Sequence, residues 1–122
     1  MGLTKQEIRG RLQTESHWIT NERTLLFTQA IAENKTRYVV AIWVKGNRQN
    51  ADDIMFERLN EDATYTPLFS PIPVGPADFR QIPEGSYDIE DPILVLEGGT
   101  RLYAQVAGIS LNTTVNYWDN EI

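Results

Sequence analysis

The chain has 122 residues, 41% of them hydrophobic and 23% charged, and its 17 acidic against 11 basic side chains give a net charge of −6. That length fits one domain burying about two thirds of the surface its unfolded chain would expose, and the composition excludes wholesale disorder and fibrous repeats. The acidic balance repels a phosphate backbone, and the absence of cysteine removes disulfides, thiolate metal sites and thiol nucleophiles.

The first element carries agreeing start signals. Thr4 can cap free amides while Glu7, three residues on, reaches back in a capping box, and Leu3 and Ile8 hold the two staple positions. The spacing predicts a helix from Lys5 to Glu15, with a narrow apolar stripe of Ile8 and Leu12 and a weak point at Gly10. This helical arm, residues 1–22, is too thinly apolar to stand alone, so it rests on its own domain or docks on a neighbouring subunit. The segment is polar and unlike a signal peptide, and no apolar run approaches the roughly 20 residues that span a bilayer as a helix. Synthesis in a cytoplasm without export is the expectation.

From residue 23 to residue 122 the pattern becomes strand-like. Strands are expected over Thr24–Ile31, Arg37–Lys45, Ile54–Leu59 and Thr64–Phe69, with a polar loop over Gly46–Asp53. In Tyr38–Lys45 both phases are apolar, which places this strand centrally, with a second layer on one face and the helix or a partner on the other. The prolines of Ser70–Pro76 confine that passage to an edge or a crossing loop. Short strands follow at Phe79–Ile82, Ser86–Ile89, Ile93–Leu96, Arg101–Val106 and Leu111–Trp118, separated by turn signals such as Pro83-Glu84-Gly85 and Glu97-Gly98-Gly99. The fold class is therefore mainly β: a β-sandwich or jelly-roll-like domain with a short N-terminal α-helical arm.

Residues for chemistry are sparse. His17, the lone histidine, is expected near a helix end, where the dipole favours a cationic imidazole. A single such ligand makes a poor metal site, and no nucleophile motif, glycine-rich phosphate loop or zinc-ligand helix is present. Arg9, Arg11 and Arg23 are interleaved with Glu7, Glu15 and Glu22, so no nucleic-acid surface is read there. Acidic pairs such as Asp52-Asp53 lack the EF-hand spacing and are read as solvated turns. No catalytic residue, cofactor, metal or small-molecule substrate is expected. Trp43 reads as core or interface. Ile8, Leu12, Trp18, Tyr103 and Trp118 are the candidate interface residues, because exposed aromatics on a β surface mark contact sites more often than enzyme pockets.

The layout of residues 23–118 resembles small β-sandwich accessory proteins of tailed-phage virions, of the capsid-decoration, head-fibre or tail-associated type. The resemblance lies in Leu25-Leu26-Phe27, the run Tyr38–Trp43, Ile82-Pro83-Glu84-Gly85, the stretch Pro92–Leu102 with its Leu96-Glu97-Gly98-Gly99 turn, and the closing Val115-Asn116-Tyr117. It implies a non-enzymatic virion structural protein, assembled in the host cytoplasm, that decorates or connects a particle. Its partners would be copies of itself, as a homo-oligomer, and a capsid or tail protein. The alternative is a cellular, cytoplasmic carbohydrate- or protein-binding β-sandwich module.

Overall fold

The computed structural model describes residues 3–46, 51–108 and 110–121, so the middle of the polar loop expected over residues 46–53 lies outside them. Helix α1 (Lys5–Arg11) begins as its sequence requires. The Thr4 hydroxyl accepts from the Glu7 amide at 3.2 Å, and the Glu7 carboxylate accepts from the Thr4 amide at 3.1 Å, a reciprocal capping box. The helix stops earlier than its sequence suggested. Leu12 is already extended, with φ −62° and ψ 134°, and Gln13–Ile19 is strand β1 instead of further helical turns. Past Leu12 a continued helix would meet five polar residues with nothing to bury, whereas as a strand Gln13–Ile19 alternates in exposure, with Glu15, His17 and Ile19 less exposed than Thr14, Ser16 and Trp18. All seven of its residues pair with the last strand. His17 consequently lies inside a strand, and the expected role at a helix end falls away.

The remaining strands are β2 (Thr24–Leu25), β3 (Lys35–Lys45), β4 (Asp52–Leu59), β5 (Tyr65–Pro67), β6 (Ile72–Val74), β7 (Phe79–Ile82), β8 (Leu94–Leu96), β9 (Leu102–Val106) and β10 (Leu111–Glu121). They form two antiparallel five-stranded sheets. The first runs β1-β10-β3, with β7 and β8 side by side on the far edge of β3; the second runs β2-β9-β4, with β5 and β6 sharing the far edge of β4. The molecule is a β-sandwich with one short N-terminal helix. Between the sheets lie Ile19, Val39, Ile42, Val44, Ile54, Phe56, Leu102, Ala104, Val115 and Tyr117.

One expected strand is cut back to two residues and another is absent. Of Thr24–Ile31 only Thr24 and Leu25 pair, yet Leu26, Phe27 and Ile31 are buried, so the apolar run fills the core from irregular backbone. Residues 86–89 form no strand, and Ile89 is buried as an anchor of that loop. The Glu-Gly-Gly turn has two separate causes. A Cβ on Gly98 would sit 2.4 Å from the Ala32 carbonyl oxygen, and Gly99 has φ +82°, a conformation costly for L side chains.

The doubly apolar β3 is central, as its sequence suggested, and a bulge accounts for its pattern. Asn116 of β10 opposes Ala41 while Tyr117 opposes Val39, leaving Val40 as the extra residue. The phase shifts there. Val39, Ile42 and Val44 belong to the core between the sheets, whereas Tyr38 and Val40 join a second cluster on the outer face, with Ile8, Ile89 and Trp118.

Candidate functional site

The outer face of the first sheet divides into a covered end and a bare end. At the covered end Tyr38 and Trp118 face each other across β3 and β10, their rings stacked with centroids 4.4 Å apart. Helix α1 lays Ile8 on this pair, the 86–91 loop adds Ile89, and Leu3 and Leu12 close the rim. Polar ties hold the roof down: Arg11 Nη1 donates to Asn120 Oδ1 at 3.2 Å, and Lys5 lies 3.7 Å from Glu90. Trp118 shares the outer phase of β10 with Asn112, Thr114 and Asn116, but it is only 6% exposed because the helix lies over it. Ile8 is buried with it, and Leu12 is half-buried. The expectation that Trp118 offers an exposed contact surface is therefore corrected.

The bare end begins two residues along β3. One row across the sheet reads Ser16, Thr114, Trp43, Gln81 and the next reads Trp18, Asn112, Lys45, Phe79. Ser16 and Thr114 hydroxyls lie 2.8 Å apart, the Trp43 indole donates to Gln81 Oε1 at 2.9 Å, and Tyr87 meets the half-buried Trp43 edge-on. Trp18 is 66% and Phe79 61% exposed, at opposite ends of their row. Six large apolar or aromatic side chains stand exposed among the described residues. Trp18, Phe79, Tyr87 and Val95 belong to this sheet's outer side, and Leu25 and Met55 to the second sheet. Tyr103, also on the second sheet, is half-buried against Tyr65, whose ring carries the Arg23 guanidinium at 3.8 Å. Of the five candidate interface residues only Trp18 is widely exposed.

Beneath the first sheet two polar groups, Arg37 on the central β3 and Glu15 on the edge strand β1, tie it to the irregular segment after β2. Arg37, 1% exposed, donates to both carboxylate oxygens of Asp119 at 2.7 and 2.8 Å and to the Gln29 carbonyl at 2.9 Å. Its guanidinium also lies over the Phe27 and Tyr117 rings. Such bidentate pairing offsets the cost of burying two charges. On β1, Glu15 accepts from the Thr28 amide and hydroxyl, from His17 at 3.3 Å and from the Tyr117 hydroxyl at 3.0 Å. Burial pushes the Glu15 carboxyl up, but the hydrogen bonds from Thr28, Tyr117 and His17 outweigh it and hold it below the ordinary range. Burial first, and then the Glu15 carboxylate, push the Tyr117 hydroxyl up to about 12. This network was not foreseen, since it depends on β1 being a strand, and Gln13–His17 is polar throughout, with no apolar alternation to mark it.

Asp52 accepts from the Gly108 and Asp53 amides, each at 2.8 Å, a turn-bracing use of the acidic pair. Among the described residues no three His, Asp or Glu side chains gather as metal ligands. An open cleft of about 660 Å³ separates α1 from the 83–91 loop, lined by Lys5, Arg9, Tyr87, Asp88 and Asp91, with charges of both signs. What these surfaces can do is make contacts: large apolar rings beside hydroxyl and amide groups and the exposed Lys45 ammonium on a paired sheet. No family model, curated protein or solved structure matches the chain.

Proposed function

We propose that this chain is a non-enzymatic structural protein of a phage-like particle, which it decorates or connects through contacts with copies of itself and with a capsid or tail protein. One observation carries the reading: Trp18, Phe79 and Tyr87 stand out from the outer side of a single sheet, away from the row of Tyr38 and Trp118 that α1 covers. Covering such side chains is worth roughly 1.5–3 kcal/mol each when complete, so a partner seated on that side gains more than one seated elsewhere. The layout of residues 23–118, which resembles virion accessory proteins, supports the particle as the setting.

Gel filtration with light scattering tests the proposal. The expected result is a mass at a whole-number multiple of 13.9 kDa, rising with concentration. A single-chain mass at every concentration would overturn it, and retention on immobilised glycans would then favour a carbohydrate-binding module.

A further inference from the structure

The sandwich has one long open edge. Strand β1 pairs only with β10, and among the described residues no backbone hydrogen bond reaches its far side. Every other edge is short or broken by proline. Strand β2 has two residues, β5 ends on Pro67, β6 contains Pro73, and the far edge of β3 is split between β7, which runs into Pro83, and the three-residue β8. These are the means by which natural sheets prevent edge-to-edge association. Strand β1, Gln13–Ile19, has seven residues and no proline, lysine or bulge.

We propose that β1 pairs antiparallel with β1 of a second copy about a two-fold axis at Ser16, joining two five-stranded sheets into one of ten strands. The inference rests on the reading that the chain assembles with itself, and it names the surface and the register. Because the axis stands perpendicular to the sheet, residues that meet must share a face, which leaves few registers. Centring on Glu15 sets two carboxylates directly opposite each other, an unfavourable arrangement. Centring on His17 sets Glu15 against the buried Ile19 position and shortens the overlap. Centring on Ser16 overlaps the whole strand and places Glu15 opposite His17 of the second copy, a carboxylate against an imidazole, twice by symmetry. On the outer face the same register puts Trp18 opposite Thr14 of the second copy and diagonal to its Leu12, within reach of an aromatic ring. Trp18 and Leu12 are the exposed and half-buried apolar groups at the two ends of this edge, and the two-fold brings them together.

Glu15 also explains why the edge can stay open without inviting other strands. A charge on the inward phase deters an arbitrary incoming strand. It is already hydrogen-bonded to Thr28, to Tyr117 and to its own His17, and the second copy brings a further imidazole, its His17, opposite. The contact is small, so dissociation is expected in the micromolar range or weaker.

The natural chain has no cysteine, which makes cross-linking a clean readout. In the proposed register Ser16→Cys places two thiols opposite each other with Cβ atoms about 5 Å apart. Mild oxidation at a few hundred micromolar is expected to convert this variant to a covalent dimer of twice 13.9 kDa, reversed by dithiothreitol. Thr14→Cys and Trp18→Cys should each stay uncoupled alone and cross-link when mixed, since 14 faces 18 across the axis. Trp18→Lys, which leaves the fold intact, should raise the dissociation constant at least tenfold. A Ser16→Cys variant that keeps the wild-type melting curve and does not cross-link overturns the inference. If the wild type still assembles, the wider reading stands without this edge; if it is monomeric throughout, both fall.

Discussion

The two ends of one sheet face both carry large aromatic rings and differ in what lies over them. At one end Trp118, Tyr38 and Val40 lie under α1 and Ile89; at the other Trp18, Phe79 and the Trp43–Tyr87 pair face outward. Both ends alternate in the same way, and both carry aromatic residues on the outer phase. Strand periodicity therefore tells which face a side chain occupies, and a distant segment of chain decides whether that face is dry. Here seven helical residues and one loop isoleucine make the difference. A face that is aromatic and left uncovered within the chain is the place where a partner adds most.

Truncating the covered end should give the largest effect. Trp118→Ala is expected to lower stability by about 3–5 kcal/mol, the usual cost of emptying a buried tryptophan site. Urea unfolding at fixed pH measures it; a loss under about 1 kcal/mol would show that α1 does not seal this face. Ile8→Ala should follow at about 2–4 kcal/mol, since Ile8 is the one buried residue of the helix. Because that residue touches the sheet from outside, its loss should release the helix and leave the core between the sheets cooperative.

The edge network makes a comparison against pH. The Tyr117 hydroxyl is raised to about 12 in the folded chain from an ordinary 10.0, so its contribution is complete below pH 10 and is lost as pH rises toward 12. The Glu15 carboxyl is shifted the other way, below 4.5; its contribution is present above that value and disappears as pH falls through the lowered folded value. Urea midpoints across both windows should decline at each extreme. Tyr117→Phe should flatten the alkaline decline. If it does not, the hydroxyl is not paired to Glu15 as described.

Much of the architecture could be read from the sequence. The capping box at Thr4 and Glu7, the central β3, the proline-bearing edges and the glycine turn at 98–99 each state their geometry in a few adjacent residues. What could not be read depended on distant partners. Gln13–Ile19 is polar, and only β10, about a hundred residues later, makes it a strand. Leu26, Phe27 and Ile31 read as strand because they are apolar, but they serve the core from irregular backbone, with Arg37 and Glu15 supplying the ties. Of the expected contact residues, Trp18 stands exposed on a strand where a helical arm was expected, and Trp118 was misplaced because nothing in its own strand announces the helix above it. The Arg37–Asp119 pair, 82 positions apart in sequence, left no local signal.

The smallest expected effect bears most directly on function. Trp18→Ala and Phe79→Ala remove large rings that the chain itself barely covers, so each should change the stability of the isolated domain by no more than about 0.5 kcal/mol. The contrast with Trp118→Ala involves the same indole truncation and the same sheet face, which removes side-chain chemistry as a variable and leaves cover as the cause. The two exposed rings can also be separated from each other. Trp18 stands on the open edge strand β1, and Phe79 stands on β7 at the far side of the same row. If assembly uses the edge, Trp18→Ala should lower the mass measured by light scattering while Phe79→Ala leaves it unchanged. If assembly instead uses the whole face, the two should act alike. A loss of more than about 1 kcal/mol for either variant in the monomeric domain would mean that the bare end is covered from within the chain, and the division of this face into two ends would fail.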